Sequence, residues 1–183
     1  YYLNYYGKFD KIKKAESVLF TGYEKFASGR GYIWSRTIPL LKNKLLLGSG
    51  ADTFATQFPH EDYVYRYNMG YETQIMTKPH SLYLQIGVQS GVISLLAFLA
   101  FYIMYFISSI KLYLNGRFDN IFKQAGAAIF IGILGYIITG ITNDSTITVA
   151  PVAWVLVGMG IACNYKVKAQ EKSEIYSENN KVL

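Results

Sequence analysis

The hydrophobic pattern divides the chain into a polar first half and an apolar second half. Three long apolar runs occupy residues 88–110, 124–141 and 147–165. Each run is close to the ~20 residues that a helix needs to cross a bilayer. Asp144 is the only charged residue between residues 124 and 165. The pattern therefore predicts an all-α, multi-pass membrane protein with a three-helix transmembrane region over residues 88–165.

Basic residues in the connecting segments predict the orientation of these spans. The segment between the first two spans holds Lys111, Arg117 and Lys123, and the tail, residues 166–183, begins with further lysines. The loop between the second and third spans has no base. The positive-inside rule then places the first loop and the tail in the cytoplasm, and residues 1–87 outside the membrane.

The polar half, residues 1–87, is expected to form a mostly helical extracytoplasmic loop region. Its pattern predicts helices over residues 9–26 and 32–47, the second bent at Pro39. Residues 54–77 are rich in tyrosine without a clear period and are predicted to be a loop. A further helix is predicted to begin at Pro79 and to continue into the first span.

Composition and charge narrow the functional class. The net charge of the 183 residues is +6, but the long apolar runs argue against a nucleic-acid-binding module. The single cysteine, Cys163, cannot form an intrachain disulfide. The cluster His60, Glu61 and Asp62 lacks the rigid ligand spacing of a metal site. The chain begins at Tyr1 rather than methionine, so an upstream part is expected.

Two segments could carry chemistry. Arg30 lies between Gly29 and Gly31, where the backbone can approach a ligand and a guanidinium can hold a phosphate through two hydrogen bonds. The alternative is a surface arginine in a capping turn. His80 follows Pro79 at a helix start, where the helix dipole disfavours the imidazolium. A neutral imidazole can accept a proton from a hydroxyl; the alternative is a histidine that only caps the helix.

Two other motifs are expected to be structural. Gly48-Ser49-Gly50 lacks the frame of a phosphate-binding P-loop and is predicted to be a tight turn. Asp144, in the short loop before the third span, is expected to be solvated or to cap that span. The alternative is a functional acid at the membrane edge.

Taken in order, several motifs resemble the O-antigen ligase/polymerase family of polysaccharide-assembling membrane proteins. They are SGRGYIW at residues 28–34, PLLKNKLLLGSGADTF at 39–54, KPHSLYLQIGVQSGVISLLAF at 78–98 and NDSTITVAPVAWVLVGMG at 143–160. The chain departs from the family pattern at Ser81, where the family usually has asparagine, and at Ser94, where it often has glycine.

The resemblance implies a membrane glycosyltransferase similar to the inverting GT-C class, located in the bacterial inner membrane. Its donor would be an undecaprenyl-diphosphate-linked oligosaccharide, and its acceptor a glycan or lipid-glycan hydroxyl outside the membrane. Such an enzyme acts as a polymerase or ligase for O-antigen, capsule or exopolysaccharide. The resemblance implies no metal and no cofactor.

The resemblance also assigns roles to residues. His80 would be the catalytic base and Arg30 would bind the donor diphosphate, with Arg36 and Lys78 as weaker electrostatic candidates. Trp34 and Tyr83 would line a sugar groove, although an interfacial aromatic belt is an equally good interpretation. A second diphosphate-binding arginine of the family would lie upstream of Tyr1.

Two alternatives to a transferase are open at this point. One is a non-catalytic transporter or flippase fragment for lipid-linked sugar, which the absence of charges within the predicted spans argues against. The other is a non-catalytic partner subunit or an inactive gene product.

Overall fold

The computed structural model describes residues 14–20, 22–114 and 118–179, and the regular structure of these residues is helical. This confirms the predicted all-α membrane class. Within these residues, seven α-helices and one 3-10 helix follow in chain order: α1 Phe26–Thr37, the 3-10 helix Ile38–Asn43, α2 Phe54–Gln57, α3 Tyr63–Met69, α4 Leu82–Ser90, α5 Val92–Tyr113, α6 Ile121–Thr139 and α7 Ala150–Asn179.

Three of these helices are long and apolar enough to cross a membrane: Val92–Tyr113, Ile121–Thr139 and the part Ala150–Glu174 of α7. The expectation that one helix runs from Pro79 into the first span is wrong. The helix is interrupted at Gly91, which lies between α4 and α5 and has a φ of 103°. A residue with a positive φ does not continue a right-handed helix. The helix of the third candidate span, α7, continues through Asn179, so the described part of the C-terminal tail is helical.

Three expectations for the polar half need correction. Residues 14–20 and 22–25 form no helix, and residues 9–13 lie outside the described part. The helix predicted over residues 32–47 is α1 and then a 3-10 helix, with Pro39 in the first 3-10 turn. The tyrosine-rich segment contains the short helices α2 and α3. Isolated helices of this length are marginal in water, so tertiary packing stabilises them.

The chain forms two compact units. The first comprises the described residues up to Leu96 together with Gly140–Asp144. Its core is an aromatic and aliphatic cluster from α1, α2, α4 and the segment before α4, made of Tyr32, Ile33, Phe54, Phe58, Met76 and Val88. Gly140–Asp144 is therefore part of the unit that holds the polar half of the chain.

The second unit contains most of α5 together with α6 and α7. Tyr102 and Tyr105 of α5 pack with Ile133 and Val157 in its core. Asn164 accepts a hydrogen bond of 2.6 Å from the Tyr113 hydroxyl and donates one of 2.9 Å to Ser109. Hydrogen bonds between helices, together with close packing, hold membrane helices together.

Candidate functional site

A cavity of about 180 Å³ in the first unit brings together the two residues singled out by the sequence motifs. Arg30 comes from α1 and His80 from the turn before α4. The other residues that line the cavity are Ser28, Ile33, Tyr71, Gln74 and Met76. None of these seven is acidic, and Ser28, Tyr71 and Gln74 can donate neutral hydrogen bonds. The lining therefore suits an anion.

An unusual turn positions Arg30. The three residues before it, Ala27, Ser28 and Gly29, have φ values of 50°, 59° and 87°. The φ of Gly29 is one that other residues rarely adopt, and a side chain there would also displace the Tyr71 hydroxyl, so glycine is favoured at this position. The Arg30 Nε donates a hydrogen bond of 2.9 Å to the Thr142 carbonyl, and Nη1 donates one of 3.0 Å to the Ala27 carbonyl.

Arg30 forms no ion pair with a carboxylate in the described part of the chain; the nearby carboxylate of Asp144 is held by His80 and Ser81. Its two recorded partners are neutral carbonyl oxygens, and Nη2 has no partner among the described residues. A partly buried guanidinium with a fixed orientation and spare donors favours a bound anion, because its hydrogen bonds are assisted by charge.

A strained turn presents His80 to the cavity. The residue has a φ of 50°, which is uncommon for a non-glycine residue. The buried Trp34 stabilises this turn, since its indole N–H lies 3.0 Å from the Pro79 carbonyl oxygen and 3.3 Å from that of His80. Trp34 thus supports the backbone behind the histidine and does not line the cavity.

Asp144 orients the imidazole. Its Oδ2 lies 3.0 Å from Nδ1 of His80, and its Oδ1 accepts a hydrogen bond of 3.2 Å from the Ser81 backbone N–H. The carboxylate is 7% exposed, whereas the imidazole is 48% exposed. Because the carboxylate accepts a proton at Nδ1, the lone pair of a neutral His80 lies on Nε2.

The expectation that Asp144 is solvated or caps the third span is wrong. Gly140–Asp144 is held against the start of α4, where the Leu82 N–H donates to the carbonyls of Gly140 and Asn143, each at 2.8 Å. The available signal in the sequence was the isolation of this charge between two apolar runs, since ionisable residues at a membrane are often functional.

Arg36 lies outside the cavity. It is 1% exposed, pairs with Asp62 at 3.0 Å and lies 3.6 Å from Glu24. Its guanidinium packs over the rings of Tyr32 and Tyr65. Burial acts to raise the pKa of Glu24, but hydrogen bonds from the Gly22 and Glu24 backbone and the nearby Arg36 outweigh it and lower that pKa. The charge of Arg36 is thus compensated inside the protein.

The other residues selected from the sequence are not brought to the cavity either. Lys78 and Tyr83 are not among its lining residues. Asp62, from the weak metal-ligand cluster, is engaged by Arg36. No group of three potential metal ligands occurs in the described residues.

Arg66, which the sequence analysis did not single out, shapes one wall of the cavity. Its guanidinium donates hydrogen bonds to the carbonyls of His60, Tyr71, Glu72 and Gln74, at distances from 2.5 to 3.3 Å. The segment that carries Tyr71, Gln74 and Met76 has no helix of its own. The wall therefore depends on one buried side chain for its shape.

We expect Arg66→Lys to loosen this wall, because a lysine ammonium cannot reproduce the fork of donors that spans four carbonyls. The amides of residues 71–76 should exchange with deuterium at least ~10-fold faster, equivalent to ~1.4 kcal/mol in the opening equilibrium. Exchange measured by mass spectrometry tests this. Lys25→Arg, which exchanges the same two residue types in the opposite direction at an exposed position, is the control. Equal exchange rates in both variants would contradict the role of Arg66 in the cavity wall.

Comparison with known proteins identifies the family. The family model described as O-antigen ligase matches residues 2–99, which is more than half of the chain. This range contains both Arg30 and His80, whereas Asp144 lies beyond it. No curated protein and no solved structure matches the chain. The match confirms the resemblance seen in the sequence motifs, and the chain belongs to the O-antigen ligase family.

Proposed function

We propose that the protein transfers an oligosaccharide from an undecaprenyl-diphosphate donor to a hydroxyl of a glycan or lipid-glycan acceptor, outside the membrane. It would act as a polymerase or ligase in the assembly of O-antigen, capsule or exopolysaccharide. Family membership supports ligase- or polymerase-type function. The observation that carries the specific proposal is one cavity that contains a guanidinium without an ion-pair partner and an imidazole oriented by a carboxylate.

In this proposal His80 is the general base. Its Nε2 accepts the proton of the acceptor hydroxyl as the hydroxyl oxygen attacks the anomeric carbon of the donor sugar. Asp144 holds the ring in the required tautomer and stabilises the imidazolium that forms. His80 is accessible to the substrate because its side chain is half exposed.

Arg30 acts on the other end of the bond that breaks. As the new glycosidic C–O bond forms, the bond from the anomeric carbon to the diphosphate oxygen breaks, and its electron pair stays with the diphosphate. The fixed guanidinium offsets the charge that develops there, which is most effective where donors are already oriented. A single displacement of this kind inverts the anomeric carbon, as in the GT-C class.

The size of the cavity fits the reacting centre alone. At about 180 Å³ it is smaller than the ~300–1,000 Å³ typical of pockets that enclose a whole ligand. The bulk of the sugar chains and the lipid tail would therefore lie outside it. A transporter must accommodate the intact head group of the lipid-linked sugar, and a cavity of this size does not enclose one. The cavity therefore supports transfer over a transporter or flippase.

Reconstitution tests the proposed function. The purified protein in liposomes, given an undecaprenyl-diphosphate oligosaccharide and a glycan acceptor, should yield a longer glycan or glycan-lipid and free undecaprenyl diphosphate. We expect the reaction to continue in the presence of EDTA. Movement of intact donor between leaflets without cleavage would contradict the proposal and favour the transporter.

Asp144→Asn should lower the transfer rate ~10- to 100-fold with little change in donor KM. An asparagine amide can donate to Nδ1 and so favours the tautomer whose Nε2 carries a hydrogen and cannot accept the acceptor proton. Asp119→Asn, the same change at a carboxylate that is 62% exposed, is the matched control. Equal rates for the two variants would remove Asp144 from the mechanism.

A further inference from the structure

Three consecutive leucines after the 3-10 helix are exposed in the first unit. Leu45, Leu46 and Leu47 are 60%, 72% and 81% exposed, and we call them the leucine ridge. Burying one leucine contributes about 1.5–3 kcal/mol, so leaving three of them in water is unfavourable. Contiguous exposed apolar side chains of this kind usually mark a contact surface.

The backbone of the ridge is tied to the start of the first span. The Val92 N–H donates to the Lys44 carbonyl at 2.9 Å, and the Ile93 N–H donates to the Leu45 carbonyl at 3.1 Å. On the far side of the ridge, Ser49 and Gly50 donate to carbonyls at the end of α4. These bonds pair backbone groups on both flanks of the ridge within the protein, which lowers the cost of holding a non-helical segment at the membrane surface.

Two glycines lock this segment in place. A side chain at Gly48 would overlap the backbone of Gln89. A side chain at Gly91 would lie 2.8 Å from the Leu46 carbonyl oxygen. The backbone of the ridge thus packs directly against the backbone between α4 and α5, which holds the ridge beside the first turn of α5.

The ridge adjoins exposed apolar side chains of the first candidate membrane span. Ile93 and Leu96, in the first turns of α5, are also exposed, and α5 is a candidate span that begins at Val92. We propose that the leucine ridge inserts among the acyl chains of the membrane leaflet that α5 enters. Lys44 borders the ridge, where a long basic side chain can reach the lipid headgroups; the neighbouring Lys42 is paired with Glu16.

Spin-label accessibility tests this insertion independently of any activity. A nitroxide is attached to Leu46→Cys in the intact protein that also carries Cys163→Ala, and the protein is placed in liposomes. Oxygen concentrates in the hydrocarbon, whereas a water-soluble nickel chelate stays in the aqueous phase. We expect collisions with oxygen to exceed those with nickel at position 46. Tyr67→Cys in α3, which has the same 72% exposure, is the control and should show the reverse ratio.

Two results would overturn the insertion. Collisions with nickel that match those at position 67 would place the ridge in water. Low collision rates with both reagents would show that another protein segment covers it. Leu47→Cys provides a second label position on the same ridge, so a failure of one variant to reach the membrane leaves the test intact.

Discussion

Replacing His80 with alanine is expected to lower the rate of glycan transfer about 10³-fold, within the range of ~10²–10⁴ that a positioned general base contributes. The acceptor hydroxyl would then lose its proton to water during attack. Donor KM should change little, because the proposed mechanism assigns the diphosphate to Arg30 and not to His80. The measurement is the steady-state rate with lipid-linked donor and acceptor in liposomes.

Two further measurements separate a base from a structural histidine. Free imidazole should restore part of the lost rate in His80→Ala, since the native ring is half exposed and its removal leaves an accessible space. His60→Ala is the control, because the only other histidine of the chain contacts the Ala55 carbonyl and does not line the cavity. Full activity of His80→Ala would refute the proposed mechanism.

The sequence predicted the residues that lie within recognisable motifs. Arg30 and His80 each stand in a short pattern of glycine, proline and aromatic residues, and the three spans follow from the length of the apolar runs. The sequence could not pair Asp144 with His80, because the two are far apart in the chain. Ser81, the residue after His80, also bonds Asp144 and is 63 positions away from it. Only the return of the chain after α6 brings them together.

Arg36 shows a second limit of sequence reasoning. It lies on the same helix as Arg30 and carries the same guanidinium. The flanking glycines favoured Arg30 over Arg36 in the sequence, but they could not show that the charge of Arg36 is already paired. The difference comes from Asp62, 26 residues away, which compensates one charge and not the other. Short helices such as α2 were missed for a related reason, since their stability comes from packing in the Tyr32 core and not from their own sequence.

Arg36 is paired with a carboxylate and Arg30 is not, so we expect Arg30 to matter for the transfer rate and Arg36 for stability. Arg30→Ala should lower the transfer rate ~10²–10³-fold, the usual loss when one oriented donor is removed from a developing negative charge. Its effect on unfolding should be small, because its two recorded bonds go to backbone carbonyls. Arg30→Lys should recover only part of the rate, since a compact ammonium cannot reproduce the planar fork that contacts both carbonyls and directs a further N–H at the diphosphate.

Arg36→Ala is the matched control for this prediction. Removing one partner of a buried ion pair leaves an uncompensated carboxylate at Asp62 and costs ~3–5 kcal/mol, so this variant should lose thermal stability. Any residual folded protein should keep its transfer rate per molecule. If Arg30→Ala instead lowered stability by a similar amount and left the rate per folded molecule unchanged, then Arg30 would be structural. The diphosphate would have to be bound elsewhere.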